Sequence, residues 1–136
     1  MLKLKRVVAS LLATATVSAL SIGALAVDYK HWEFDLSPSK GSYQFSGRAE
    51  KQDNEDSALI HCESGSVSSA RSLTVAVYKA KTFTTSNCIS TPIAVSDAND
   101  KQYYIDYTVD RGAGSINYLC ASAGYYSAKI TGHWDP

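Results

Sequence analysis

The sequence has little excess of charge of either sign. Its 136 residues carry 13 basic and 13 acidic side chains, and three of the basic ones, Lys3, Lys5 and Arg6, precede the first long apolar run. Residues 27–136 therefore hold the remaining 10 basic residues against all 13 acidic ones, a net charge of −3 before histidine. So small a charge gives no strong attraction for nucleic acid or anionic lipid, and we expect neither as a partner.

A second long hydrophobic run is also missing. The single run, residues 7–25, follows the three basic residues and ends in a small-residue Ala-x-Ala pattern at Ala26. This arrangement is typical of a secretory signal peptide, so we predict a signal at 1–26 and one domain of 110 residues at 27–136. Because no later stretch is long enough to span a bilayer, we expect a secreted protein without a transmembrane span.

A sustained helical period is absent as well, and apolar residues alternate with others instead. The clearest example is the segment 72–79, in which Leu73, Val75 and Val77 share one face. Short segments of this kind recur between clusters of Gly, Asn, Asp and Ser, as in antiparallel strands joined by turns. We predict an all-β chain of about seven or eight short strands, folded as a single antiparallel β-sandwich, with an open β-barrel as the alternative.

Two stretches are predicted to be connections. The run 50–56 reads EKQDNED and is too charged to be expected in a core, so it is predicted to be a solvated loop. The stretch 63–69 is rich in Ser and Gly and is predicted to connect two strands.

Three segments of the second half carry a resemblance: 73–80 (LTVAVYKA), 103–107 (YYIDY) and 130–135 (ITGHWD). With these segments and its signal peptide, the chain resembles a family of small exported proteins of Gram-positive bacteria that is known only as a domain of unknown function. The likeness covers roughly Ala58 to the end of the sequence. It implies an exported β domain and brings no catalytic residues with it.

The three cysteines leave the disulfide state open. Cys62 alternates in phase with Ile60, and Cys120 alternates in phase with Tyr118, so both are expected to face the core. Exported chains meet oxidising conditions, and we expect first a Cys62–Cys120 bridge between the two sheets, which would add about 3–5 kcal/mol. A bridge from Cys88 to either partner and a chain without any bridge are the alternatives.

Two His-Trp-acid triplets lie near the two ends of the domain, at 31–33 and 133–135. Both tryptophans are in phase with core residues and are predicted to point inward, which leaves His31 and His133 on the outer surface. If the terminal strands pair, the two imidazoles with Glu33 or Asp135 would form a surface site for zinc or copper. Two solvated histidines are the simpler interpretation, and we predict no metal and no cofactor.

Catalytic motifs are not found. The three histidines, His31, His61 and His133, are the only bases suited to neutral pH, and none lies near a recognisable nucleophile motif. We therefore predict no catalytic residues and a protein that is not an enzyme.

The nine tyrosines give the remaining functional hint. In the doublets 103–104 and 125–126 one ring must point outward, and exposed tyrosines are enriched where proteins bind partners. We predict a small secreted protein that acts by surface recognition at or outside the cell envelope, with an envelope or glycan component as its partner. A bacteriocin-like antagonist of competing bacteria is the alternative. The predicted binding residues are Tyr78, Tyr104, Tyr125, His31 and His133.

Overall fold

The computed structural model describes residues 29–37, 39, 41–67, 73–123 and 126–136. The predicted signal peptide and Tyr125 lie outside the described residues. Within these ranges the chain forms strands and no helix, and so no described helix is long and apolar enough to cross a membrane. The strands are β1 (Lys30–Leu36), β2 (Tyr43–Phe45), β3 (Ala49–Glu50), β4 (Ser57–Val67), β5 (Leu73–Tyr78), β6 (Ile93–Val95), β7 (Lys101–Asp106), β8 (Ile116–Ser122) and β9 (Ala128–Asp135).

The strands form two antiparallel sheets, which confirms the all-β prediction. One sheet has the order β1-β9-β4-β7, and the other has the order β2-β8-β5-β6, with the short β3 also pairing with β8. Both orders are open, so neither sheet closes into a barrel. Eight of the described strands, all except β3, lie where apolar residues alternate with others in the sequence. Alternation does not predict β3, because two residues are too few to show a period.

The two sheets share one hydrophobic cluster, which gives the fold a sandwich-like arrangement. Both tryptophans point into this cluster, as predicted: Trp32 is 3% exposed and Trp134 is fully buried. Burial of such side chains is the main force that holds the sheets together, at about 1.5–3 kcal/mol for each large apolar residue. The cluster's largest members come from both sheets and include Trp32, Phe34, Ile60, Leu73, Val75, Val77, Ile105, Leu119, Ile130 and Trp134.

Strand β9 lies between β1 and β4, and Gly132 makes its tight packing possible. Gly132 pairs with Trp32 on β1 and with Cys62 on β4. A Cβ atom at this position would lie 2.0 Å from the main-chain oxygen of His61 and 2.8 Å from the Trp32 ring. Only a residue without a side chain fits there, since both neighbours are held by the surrounding strands.

The phase predicted for β8 is wrong. Leu119 and Ala121 belong to the cluster shared by the sheets, whereas Cys120 belongs to a second cluster with Ala76 and Tyr78 on the outer face of the five-stranded sheet. Both faces of β8 are apolar because aromatic side chains cover the outer one, so alternation could not tell them apart.

The Cys62–Cys120 bridge is not formed in this structure. All three cysteines are free thiols, and Cys62 lies in the shared cluster while Cys120 lies in the outer one. The sheet that carries Cys120 thus stands between the two thiols. A disulfide requires Cα atoms within about 7 Å whose Cβ atoms point toward each other, and opposite sides of a sheet do not provide this.

The prediction that the charged run 50–56 is entirely solvated is also wrong, because Lys51 is 1% exposed. Its ammonium group donates to Asp53 Oδ1 at 2.7 Å and to the main-chain oxygen of Pro136 at 3.3 Å, and it lies 5.1 Å from the centre of the Tyr107 ring. A buried charge is tolerated only with such partners. The hydrogen bond from Lys51 is the main reason that the pKa of Asp53 is lowered.

We expect Gly132→Ala to destabilise the protein by at least about 2 kcal/mol, because the new methyl group meets the main chain of β4. Gly47→Ala is the matched control: a Cβ there meets nothing within 4 Å, so its effect should stay within about 0.5 kcal/mol. Urea unfolding of both variants measures the difference. Equal stability of the two variants would contradict the described packing of β9.

We expect Asp53→Asn to lower the free energy of unfolding by about 1 kcal/mol at pH 7, a modest value because the carboxylate is partly exposed. A lowered pKa in the folded state means that the ionised Asp53 stabilises the fold above its ordinary pKa, and that this contribution is lost as the pH falls through the lowered value. The difference between the wild type and the variant should therefore begin to shrink below about pH 4 and vanish only below the lowered pKa. Denaturant unfolding at several pH values measures this, and a difference that is independent of pH would contradict it.

Candidate functional site

All three histidines of the chain lie in one row across the outer face of the four-stranded sheet. His133 on β9 pairs directly with His31 on β1 and, on its other side, with His61 on β4. Directly opposed residues on adjacent strands have Cβ atoms about 4.5–5.5 Å apart. The rings of His31 and His133 meet edge to face, with centroids 5.2 Å apart. We call His31, His133 and His61 the histidine row.

A β-bulge adds a carboxylate to this row. The register between β4 and β9 shifts between Cys62 and Ser64, so Glu63 is the extra residue. Bulges re-aim side chains, and here Glu63 Oε1 lies 2.5 Å from His133 Nδ1. One donor atom from each of His31, Glu63 and His133 lies within 4.8 Å of the others. These three side chains could hold a metal ion. The predicted connector 63–69 is thus in part the second half of β4.

His61, the third member of the row, is engaged by a different carboxylate. Its Nε2 atom lies 2.8 Å from Asp100 Oδ1. Asp100 has a positive φ of 51°, a conformation that Asp tolerates better than most residues. Its main-chain N–H donates to the main-chain oxygen of Glu63 at 3.4 Å. The loop before β7 therefore contacts the bulge and brings the Asp100 carboxylate within hydrogen-bond distance of His61.

A second surface feature lies on the outer face of the five-stranded sheet. Tyr43 and Phe83 are stacked, with centroids 4.5 Å apart and planes inclined by 9°, and each ring is 45% exposed. Phe83 also stacks on Tyr78 at 5.8 Å, and Tyr78 meets the edge of Phe45 at 5.3 Å. We call Tyr43, Phe45, Tyr78 and Phe83 the aromatic cluster. It joins β2, β5 and the segment 79–87, which lays Phe83 over the sheet.

The side chain of Tyr78, one of the two tyrosines in this cluster, is shielded from water. Tyr78 is 7% exposed, and burial, followed by the nearby Cys88 and Cys120 thiols, raises its pKa to about 12. Beside the cluster, the Lys81 ammonium group lies 5.5 Å from the centre of the Tyr118 ring. The cluster therefore presents neutral rings with a cation at its margin.

The predicted binding residues fall in different places. His31 and His133 lie together in the histidine row, and Tyr78 lies in the aromatic cluster. Tyr104 is 64% exposed on β7, at the edge of the other sheet, and Tyr125 lies outside the described residues. The structure brings His31 and His133 together and places Tyr78 and Tyr104 on different sheets.

Sequence reasoning missed four residues. His61 precedes Cys62, which was predicted to face inward, so alternation alone would have put His61 outward. No pattern marks Glu63, because a bulge interrupts the alternation that would locate it. Tyr43 lies in a strand of three residues, too short for alternation to mark its ring as a binding group, and Phe83 lies in a segment without any period. Glu33, one of the two carboxylates predicted as alternatives for the histidine site, instead faces Lys129, with Oε1 3.5 Å from Nζ.

The three thiols are not bridged, although Cys88 packs against the same outer cluster as Cys120. The main chain of Cys88 pairs with Tyr78 in an isolated β-bridge along one edge of β5. Cys120 lies on β8, which pairs with the other edge. Two strand spacings, about 9.5 Å, separate the main chains that carry them, which exceeds the limit of about 7 Å for a disulfide. Burial raises the pKa of Cys62 to about 11 and that of Cys120 to about 12. Cys88 is the only half-exposed cysteine.

We expect Cys88 alone to react with a water-soluble thiol reagent in the folded protein at about pH 8, and all three cysteines to react after unfolding, because buried thiols with raised pKa values are inert. Mass spectrometry of protein purified without reductant measures both counts. Cys88→Ser is the control and should leave no reactive thiol in the folded state. A disulfide within the chain, or a second reactive native thiol, would contradict the described separation.

Comparisons with protein-family models, with characterised proteins and with solved structures find no match to this chain. The resemblance of its second half to a family of exported proteins therefore stays a prediction.

Proposed function

We propose that the protein is an exported, non-enzymatic β-sandwich that recognises a glycan of the cell envelope through the aromatic cluster. The observation that carries this proposal is the stacked pair Tyr43 and Phe83, in which both rings are 45% exposed. Exposed rings of this size, grouped on one face, are typical of a binding surface rather than of a core. The signal peptide predicted at 1–26 supplies the route out of the cell.

The cluster is suited to binding because its rings are already ordered. Tyr43 is held by Phe83 on one side and by the edge of Phe45 at 6.1 Å, and Phe83 rests on the buried Tyr78. When a partner stacks on these rings, the protein's side chains lose little conformational entropy. The apolar hydrogen-bearing face of a sugar ring matches a flat aromatic surface, and the Tyr43 hydroxyl offers a hydrogen bond at its rim.

The charge beside the cluster favours an anionic glycan over a neutral one. Lys81 lies over the Tyr118 ring next to the cluster. An ammonium group at the margin of an interface mainly affects the specificity of binding and the rate of association. We therefore expect binding that weakens as salt is added.

The hydrogen bonding of the half-exposed thiol supports a non-enzymatic protein. The Cys88 thiol donates to the main-chain oxygen of Ser90 at 3.4 Å. A catalytic nucleophile requires a base within hydrogen-bond reach, and a carbonyl oxygen does not serve as one.

The test is co-sedimentation of the purified protein with isolated bacterial cell envelopes. We expect saturable binding that the double variant Tyr43→Ser/Phe83→Ser reduces by at least about tenfold, because central aromatic residues dominate binding energy. Tyr104→Ser is the matched control, since it removes a more exposed tyrosine, 64% against 45%, from the other sheet and should leave binding unchanged.

Treatment of the envelopes separates a glycan from a protein partner. Digestion of envelope proteins should leave binding intact, whereas hydrolysis of the envelope glycans should remove it. Unchanged binding by the double variant would overturn the site assignment, and a loss caused by Tyr104→Ser alone would move the site to β7. Absence of binding to every envelope would overturn the proposed function.

A further inference from the structure

We propose that His31, Glu63 and His133 form a binding site for a divalent transition-metal ion, with Zn²⁺ as the ion to test. The site lies on the four-stranded sheet, whereas the aromatic cluster lies on the other sheet, so this inference goes beyond the proposed recognition of a glycan. It rests on the convergence of three donor atoms within 4.8 Å of one another.

The donor set has the right chemistry. Two imidazoles and one carboxylate bind Zn²⁺ at about 2.0–2.2 Å, and three such protein ligands leave a fourth, tetrahedral position for water or a solute. Neighbouring ligands of such an ion are about 3.4 Å apart. Donors at the 4.8 Å limit need to approach by about 1.4 Å to reach this geometry, while Glu63 Oε1 and His133 Nδ1, now 2.5 Å apart, need to separate by about 0.9 Å. Side-chain rotation can supply both movements.

The main chain holds the three ligands in place before any ion arrives. Each comes from a different strand, and the three strands β1, β9 and β4 are hydrogen-bonded neighbours. His31 and His133 are directly paired, and the bulge brings Glu63 to His133. Strands position a site more firmly than loops do, so binding costs little ordering of the main chain.

The contact between Glu63 and His133 indicates where the ion would bind. In the Nδ1–H tautomer, His133 donates a hydrogen bond to Glu63 Oε1. An ion placed between Nδ1 and Oε1 takes the position of that proton, and the proton moves to Nε2, so the imidazole stays neutral as a metal ligand must. Glu63 then contributes the negative charge that offsets the charge of the ion.

His61 is the internal control for this proposal. It lies in the same row, opposite His133, but its Nε2 atom is bonded to Asp100, and it is not one of the three converging donors. If the geometry defines the site, replacing His31 or His133 should weaken Zn²⁺ binding, and replacing His61 should not. Non-specific binding to surface histidines would make all three equivalent.

Isothermal titration of the purified protein with ZnCl2 tests the site. We expect one ion per chain with a Kd of about 10 µM or tighter. His31→Gln, His133→Gln and Glu63→Gln should each weaken binding at least about tenfold, while His61→Gln should change it less than about twofold. Mg²⁺ should not bind, because it prefers oxygen ligands, and Cu²⁺ should bind more tightly than Zn²⁺.

A second readout guards against variants that merely unfold. Because the ligands come from three strands, Zn²⁺ should raise the Tm of the wild type and of His61→Gln, and leave the Tm of Glu63→Gln unchanged. The double variant Tyr43→Ser/Phe83→Ser should bind Zn²⁺ normally, which distinguishes failure of this site from failure of the glycan surface. Absence of saturable Zn²⁺ binding, or an equal loss in His61→Gln and His31→Gln, would overturn the proposal.

Discussion

Strand β9 hydrogen-bonds to β1 along one edge and to β4 along the other, and this double pairing organises the rest of the four-stranded sheet. It places His133 between His61 and His31, which lie about 70 and 100 positions earlier in the sequence. The register is tied to one small feature, Gly132, whose missing side chain lets the Trp32 ring and the β4 main chain approach. A shift of one residue would move Trp134 to the surface and the histidines into the core, so burial of the tryptophans also aligns the histidine row.

The two sheets differ in what covers their outer faces, and this difference separates their chemistry. The outer face of the four-stranded sheet is polar, and His31, Glu63 and His133 stand on it with access to water. The outer face of the five-stranded sheet is apolar and is largely covered by its own aromatic side chains, with Cys120 buried beneath them. The first face therefore suits ions, while the second suits partners with flat, weakly polar surfaces.

Alternation in the sequence was enough to predict the all-β class and eight of the described strands, because a half-buried strand has a period of two. It was less reliable on β8, where both faces are apolar and the predicted inward residue, Cys120, faces outward. It also failed at Lys51, since burial of a charge depends on partners such as Pro136 that are distant in sequence. Glu63 could not be predicted, because a bulge is a break in the very period that the prediction uses.

The candidate site was harder to predict than the fold for a related reason. The sequence showed that His31 and His133 are outward, but their contact depends on the pairing of β1 with β9, which is among the most distant pairings in the chain. Such contacts form only when the loop-closure entropy of the intervening chain has been offset by burial of the core. The three converging donors are thus a product of the completed fold. An ion that bound them would stabilise the same pairing that creates them, so the proposed metal binding and the stability of the four-stranded sheet would be thermodynamically linked.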